Sequence, residues 1–135
     1  DQELDEARTL VRSSSEAVRI SLGDLHGATF VGTAGTITTL AAMAQQLPAY
    51  VGSRIHNYRL DLETICRLEK EILARTKAQR MDLLGLELGR EDVIVAGTLL
   101  LRGIMETLGL TVCLVSDLGL REGILIDLAV RLQNK

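Results

Sequence analysis

The sequence contains no tryptophan, one proline and only three aromatic residues, Phe30, Tyr50 and Tyr58. Any core it builds is therefore aliphatic. With Pro48 alone and 12 glycines scattered along the chain, no stretch reads as a flexible linker. Lysine is also scarce: 12 of the 15 basic residues are arginine, and they occur singly. A net charge of −3 with no basic run excludes an electrostatic nucleic-acid or membrane binder. The longest apolar run falls far short of the ~20 residues that a membrane span needs. No signal-peptide pattern opens the chain, although Asp1 in place of Met suggests that the natural start lies upstream. Cys66 and Cys113 are isolated within apolar patterns, the expected state being free thiols in a reducing compartment, the cytoplasm.

What is present is a globular composition, 47% apolar and 24% charged over 135 residues, enough for one domain or a large piece of one. Leu4, Ala7, Leu10, Val11, Ser14 and Val18 recur at helical spacing, with acids early and Arg12 and Arg19 late, predicting a helix from about Gln2 to Leu22. Ala28–Val31 is apolar and β-branched, the pattern of a buried strand. Ile37 to Leu47 reads as a short helix stopped by Pro48. Tyr58-Arg59-Leu60 has strand character, and Asp61 is placed to cap a helix carrying Leu62, Ile65, Cys66, Ile72 and Leu73 on one face. A short helix is expected around Gln79 to Leu84. A longer one follows from Arg90 or Glu91 to Leu108, stopped by Gly109. Its centre, Val93 to Leu101, is apolar on nearly every side and predicts a helix sandwiched between other elements. Thr111–Val115 is a second buried strand, and Gly123 or Ile124 to Leu132 the last helix.

This order gives a helix-rich α/β chain with few strands. Two strands separated by so many helices are expected to need partner strands from outside the chain, which suggests a fragment.

Two turns stand out. In Phe30-Val31-Gly32-Thr33-Ala34-Gly35-Thr36 a strand leads directly into glycines, threonines and a helix. Glycine permits tight turning and close approach to a ligand, a helix start favours phosphate, and Thr33 or Thr36 can serve as cap. Ordinary capping is the alternative reading. The turn is neither a Walker A loop nor Gly-x-Gly-x-x-Gly. Ser116-Asp117-Leu118-Gly119-Leu120-Arg121-Glu122-Gly123 also follows a strand, with an N-cap Asp117 and a surface Arg121-Glu122 pair as the simpler reading. Ligands of open α/β sheets bind outside the carboxyl ends of strands, where both turns would lie. His26 and His56 have no metal-like spacing, no Ser-His-Asp set can be assembled, and the carboxylates are expected on solvated helix faces.

These motifs carry a resemblance. Gly32 to Ala41 resembles the Gly-Thr-Ala-Gly-Thr stretch of the exopolyphosphatase/guanosine pentaphosphate phosphohydrolase (Ppx/GppA) family. Leu60 with the Asp61 helix, Arg80 with Leu84-Gly85-Leu86, Arg90-Glu91-Asp92-Val93-Ile94-Val95-Ala96-Gly97, and the 116–123 turn resemble the segments that follow there, in order. The resemblance implies a partial actin-like (ASKHA, ribonuclease H-like) fold, with residues 1–135 forming the C-terminal part of the second of two similar domains. It implies a Mg²⁺-dependent hydrolase removing terminal phosphate from inorganic polyphosphate or guanosine pentaphosphate. The family's catalytic glutamate, metal-associated acid and Asp-x-Gly-Gly-Gly-Ser loop have no counterpart here. No catalytic or metal-binding residue is therefore expected in this chain. The resemblance assigns phosphate or ligand contact to Gly32, Thr33, Ala34, Gly35, Thr36, Arg90, Ser116, Asp117, Gly119 and Arg121. A non-catalytic binding module with an actin-like half-fold is the alternative, a sugar or acetate kinase relative is disfavoured by the 116–123 turn, and a homodimer through exposed apolar surface is open.

Overall fold

Local chemistry sets most helix boundaries in the computed structural model, which describes residues 2–133 of the domain expected over 1–135. Helix α1 (Gln2–Leu22) has Glu3 and Asp5 in its first turn and Arg19 in its last, matching its macrodipole. The Asp61 carboxylate accepts the Thr64 N–H at 2.7 Å and starts α4 (Leu62–Leu73). Thr76 and Gln79 form a reciprocal capping box on α5 (Lys77–Arg80), somewhat earlier than expected. Gly109, at φ 67°, ends α6 (Val93–Leu108) in the left-handed conformation that glycine adopts without a Cβ penalty. The remaining helices are α2 (Gly35–Ala44), the single turn α3 (Gly52–Ile55) and α7 (Leu120–Gln133).

Three short strands, β1 (Val31–Thr33), β2 (Arg59–Asp61) and β3 (Val112–Ser116), form one sheet in the order β1-β3-β2. β1 runs parallel to β3 with Thr33 beside Ser116, and β2 runs antiparallel with Leu60 beside Cys113. This corrects the expectation that the two strands need partners from outside. They pair with each other, and the weak strand character at 58–60 supplies the third member. The first strand also lies later than the apolar run 28–31 predicts. Its ladder begins at Val31, opposite Leu114, and as an edge strand it buries only Gly32 while Val31 is 55% exposed.

The helices between β1 and β3 cover the sheet and supply the core. Ile65, Leu68 and Ile72 on α4 recur at i, i+3 and i+7 and pack with Leu40, Ile55, Leu60, Ile94, Met105 and Val115, all fully or nearly fully buried. Each such aliphatic side chain contributes about 1.5–3 kcal/mol on leaving water. Helix α6 is sandwiched less completely than its composition predicts: Ile94, Thr98, Leu99, Leu101 and Met105 are buried, but Val93 and Leu100 face outward. Helix α1 lies along α6, where Val11 fills the space over Gly103 and would collide with a Cβ there.

Two acidic residues contradict the expectation of solvated acids: Glu91, 7% exposed, which accepts the Gly89 N–H at 2.9 Å, and Glu69. Glu69 lies on the buried face of α4, 2% exposed, and its two oxygens accept Arg8 of α1 at 2.8 Å and Arg102 of α6 at 3.2 Å. A charge so placed is tolerated because it is paired on both oxygens. At the other extreme, α7 buries no residue within the described chain, and Leu120, Ile124, Leu125, Ile126 and Leu132 are each more than half exposed. Among the described residues no helix is long and apolar enough to cross a membrane.

Candidate functional site

The strand-to-helix turn after β1 achieves its geometry in an unexpected way. Its positive φ falls on Ala34 (φ 71°, ψ 176°), a region that is essentially glycine's own, whereas Gly32 and Gly35 have ordinary φ. The two glycines are needed for space. A Cβ on Gly32 would stand 2.5 Å from Cys113 Sγ, so the bare backbone lets β1 close onto β3. A Cβ on Gly35 would lie 2.1–2.7 Å from the guanidinium of Arg90. Gly35 is the first residue of α2, so a cation rests directly against that helix's N-terminus.

No side chain caps α2, and its first turn holds no acidic residue. Neither threonine acts as the expected cap. Thr33 Oγ1 donates to the Leu118 carbonyl at 3.0 Å, and Thr36 packs against α6 at Gly97, where a Cβ would stand 2.5 Å from its methyl. The N–H groups opening a helix and their positive dipole end are therefore left without an anion from the chain. Arg90 adds a full positive charge to that end. Its Nε donates to Glu87 Oε2 at 2.5 Å, a partly exposed pair three residues apart. Arg80 braces the approach to this loop, donating from Nε to the Ile72 carbonyl at 3.0 Å and from Nη1 to the Glu91 carbonyl at 3.1 Å.

The turn after β3 lies beside the first, tied to it by the Thr33–Leu118 hydrogen bond and the Thr33–Ser116 register. Here the polar groups satisfy one another. Ser116 Oγ donates to the Leu118 carbonyl at 2.9 Å, and the Asp117 N–H donates to His56 Nδ1 at 3.3 Å. Asp117 does not cap α7; its carboxylate accepts the Tyr50 hydroxyl. Partial burial, with the neighbouring Asp117 carboxylate, pushes the Tyr50 phenol up to about 12. The capping role falls to Glu122, whose Oε2 accepts the Gly119 N–H at 2.7 Å; that hydrogen bond holds its carboxyl below the usual range. Arg121 is 92% exposed and meets only the edge of Glu122 at 3.8 Å, so it points away from both turns.

Two adjacent loops lie at the carboxyl ends of parallel strands, and one of them is a doubly positive helix start with no anion from the chain. The family model of the Ppx/GppA phosphatase family matches residues 1–132. The chain belongs to that family. It is 34% identical over 132 residues to exopolyphosphatase 2 of Mycobacterium tuberculosis, covering 95% of this chain and 41% of that protein. It is 29% identical over 87 residues to a bifunctional 3-dehydroquinate synthase/phosphatase of Fusobacterium nucleatum, covering 64% of this chain and 13% of that protein. Among solved structures, the Aquifex aeolicus member of the Ppx/GppA family superposes with a TM-score of 0.86 at 26% identity, over 96% of this chain and 41% of its own. The chain thus spans about two fifths of the length of these exopolyphosphatase and Aquifex relatives. The fold is part of an actin-like domain, as those neighbours share it.

Of the positions that the family resemblance assigns to ligand contact, Gly32 to Thr36, Arg90, Ser116, Asp117 and Gly119 lie on this one surface, and Arg121 lies outside it. A magnesium ion does not fit here. Among the described residues no three His, Cys, Asp or Glu side chains gather as metal ligands, and Glu87, Asp117 and Glu122 are engaged by Arg90, Tyr50 and Gly119. Sequence reasoning missed Glu87, Tyr50 and the buried Glu69. Glu87 had a usable signal, an acid three residues before a motif arginine. Tyr50 had none, since its partner Asp117 lies 67 residues away.

Proposed function

We propose that this chain is the ligand-gripping wall of a phosphohydrolase cleft that removes terminal phosphate from inorganic polyphosphate or guanosine pentaphosphate. The observation that carries the reading is the start of α2: uncapped, without an acidic residue, and with the Arg90 guanidinium against Gly35. The exposed N–H groups of the first turn would hold one phosphate's oxygens, and Arg90 would pair with the same or the next phosphate. Both contacts stabilise negative charge on the phosphate chain as the terminal group departs. The attacking water, its base and the magnesium ions belong, in this reading, to the rest of a protein of the relatives' length. The 135-residue chain would therefore release no phosphate by itself. Two free thiols suit the cytoplasm as its site of action.

The test is Arg90→Ala in the full-length gene product. Phosphate release from polyphosphate should fall at least tenfold with melting temperature little changed, since Arg90 is on the surface and charge-assisted contacts are worth about 1.5–3 kcal/mol. Unchanged turnover in a folded Arg90→Ala protein would remove this surface from the mechanism. Full activity from the 135-residue chain would overturn its role as a wall. A full-length wild type that binds polyphosphate and never hydrolyses it would favour the non-catalytic module.

A further inference from the structure

Glu87 has no role in the reading above, yet it is the carboxylate bonded to Arg90. Its backbone is fixed. Gly85, at φ +85°, brings the 83–89 loop so close to α2 that a Cβ would stand 2.4 Å from the Ala42–Met43 peptide. Within that loop the Arg90 N–H donates to the Glu87 carbonyl at 3.2 Å, closing a tight turn. The Glu87 side chain is 42% exposed and makes one polar contact, to Arg90 Nε, so its carboxylate can swing into water while its backbone stays in place. It is also the only carboxylate bonded to either positive element of the α2 start among the described residues.

We propose that Glu87 is a resident counter-ion, an internal stand-in for phosphate that neutralises Arg90 in the empty site and that the ligand must displace. The inference rests on the reading of the α2 start as phosphate-facing. Its chemistry is simple ion exchange: the Arg90 fork gives up one carboxylate oxygen and takes phosphate oxygens, and Glu87 returns to solvent with its charge. An exposed pair of this kind is weak, up to about 1 kcal/mol, so a multiply charged chain displaces it easily. The displacement costs the same for any ligand that takes Arg90, so it lowers the affinity for a chain and for a single orthophosphate by the same factor. Glu87 thus sets how tightly the Arg90 surface holds any anion, and keeps that surface neutral when it is empty.

Isothermal titration of inorganic tripolyphosphate and of orthophosphate into the full-length protein tests this. Glu87→Gln should tighten both ligands by the same factor, about three- to fivefold, the displaced pair's ~1 kcal/mol at most. Glu87→Ala, which leaves no amide to pair with Arg90, should do the same. The gain should vanish in the Glu87→Gln/Arg90→Ala double variant, because a pairwise interaction disappears with either partner. A gain that persists without Arg90 reports only the removal of a nearby negative charge and overturns the counter-ion role. Equal or weaker binding by both Glu87 variants, with Arg90→Ala still weakened, overturns it too and leaves the phosphate-facing reading standing. Undiminished binding by Arg90→Ala fails that reading itself, and this inference with it.

Discussion

The two strand-to-helix turns occupy equivalent places, at the carboxyl ends of the parallel strands β1 and β3, and they handle a helix N-terminus in opposite ways. At the second, the chain supplies its own anion: Glu122 takes the Gly119 N–H, and Tyr50 and His56 take up the rest of the loop. At the first, the chain supplies a cation and leaves the helix start bare. Backbone strain follows the same division, since Ala34 in the open turn has a positive φ and no residue of 116–119 does. An uncapped helix, an apposed arginine and a strained alanine each cost stability, and local departures of this kind are what the proposed ligand-facing role would account for.

The comparison breaks most sharply at the glycines that open each turn. Gly35→Val puts side-chain atoms where the Arg90 guanidinium now lies, and that guanidinium is the far end of a flexible side chain. The protein should keep its melting temperature and lose tripolyphosphate affinity ten- to hundredfold, the equivalent of about 1.5–3 kcal/mol of charge-assisted contact. Gly119→Ala is the matched control. Its Cβ would meet nothing nearer than Thr33 Oγ1 at 3.6 Å, so binding and stability should both be retained. Equal losses from the two substitutions would erase the proposed difference between the turns.

Gly32→Ala should strike stability instead. Its Cβ would stand 2.5 Å from Cys113 Sγ and 3.0 Å from Ile37 Cγ2, both inside the sheet-to-α2 contact, so overpacking should destabilise by about 2 kcal/mol in denaturant titration. The smaller effect of opposite sign belongs to Ala34→Gly. Relief of about 1–3 kcal/mol of strain, less about 0.4–1 kcal/mol of added unfolded-state entropy, leaves a gain near 1 kcal/mol. Calorimetry should register a melting temperature higher by roughly 3–5 °C. A net loss of about 0.4–1 kcal/mol would mean that the turn's conformation carries no strain.

Much of this was legible because helices announce themselves locally. Asp61 and Gly109 each act within four residues of their own position, and both mark observed boundaries. The sheet was legible only in part. Val31 and its partner Leu114 lie 83 positions apart, and β2 is three residues long, so neither periodicity nor propensity identifies the partner. The same limit governs the site. The motif residues flagged two loops that the structure brings side by side, but the reason for Gly35 is Arg90, 55 residues on, and the residue in the glycine-like conformation is an alanine. Close approach and backbone strain are properties of the folded chain, which no window of sequence contains.

The last difference between the turns is one of pH. Glu122 is held below its ordinary value of 4.5, first by the Gly119 N–H and then by its own N–H. A carboxyl whose folded pKa is depressed contributes stability that is fully present above the unfolded value, and that is lost as pH falls through the folded one. Melting temperatures of the wild type and Glu122→Gln should therefore differ by a constant amount from pH 7 down to about 5, then converge below 4.5. The start of α2 has no carboxylate in its first turn, so substituting Thr36 with Ser should give a difference from wild type with no such convergence. If Glu122→Gln differs from the wild type equally at pH 7 and pH 3, the second turn is not held by a carboxylate. The contrast between a self-neutralised helix start and an open one would then rest on Arg90 alone.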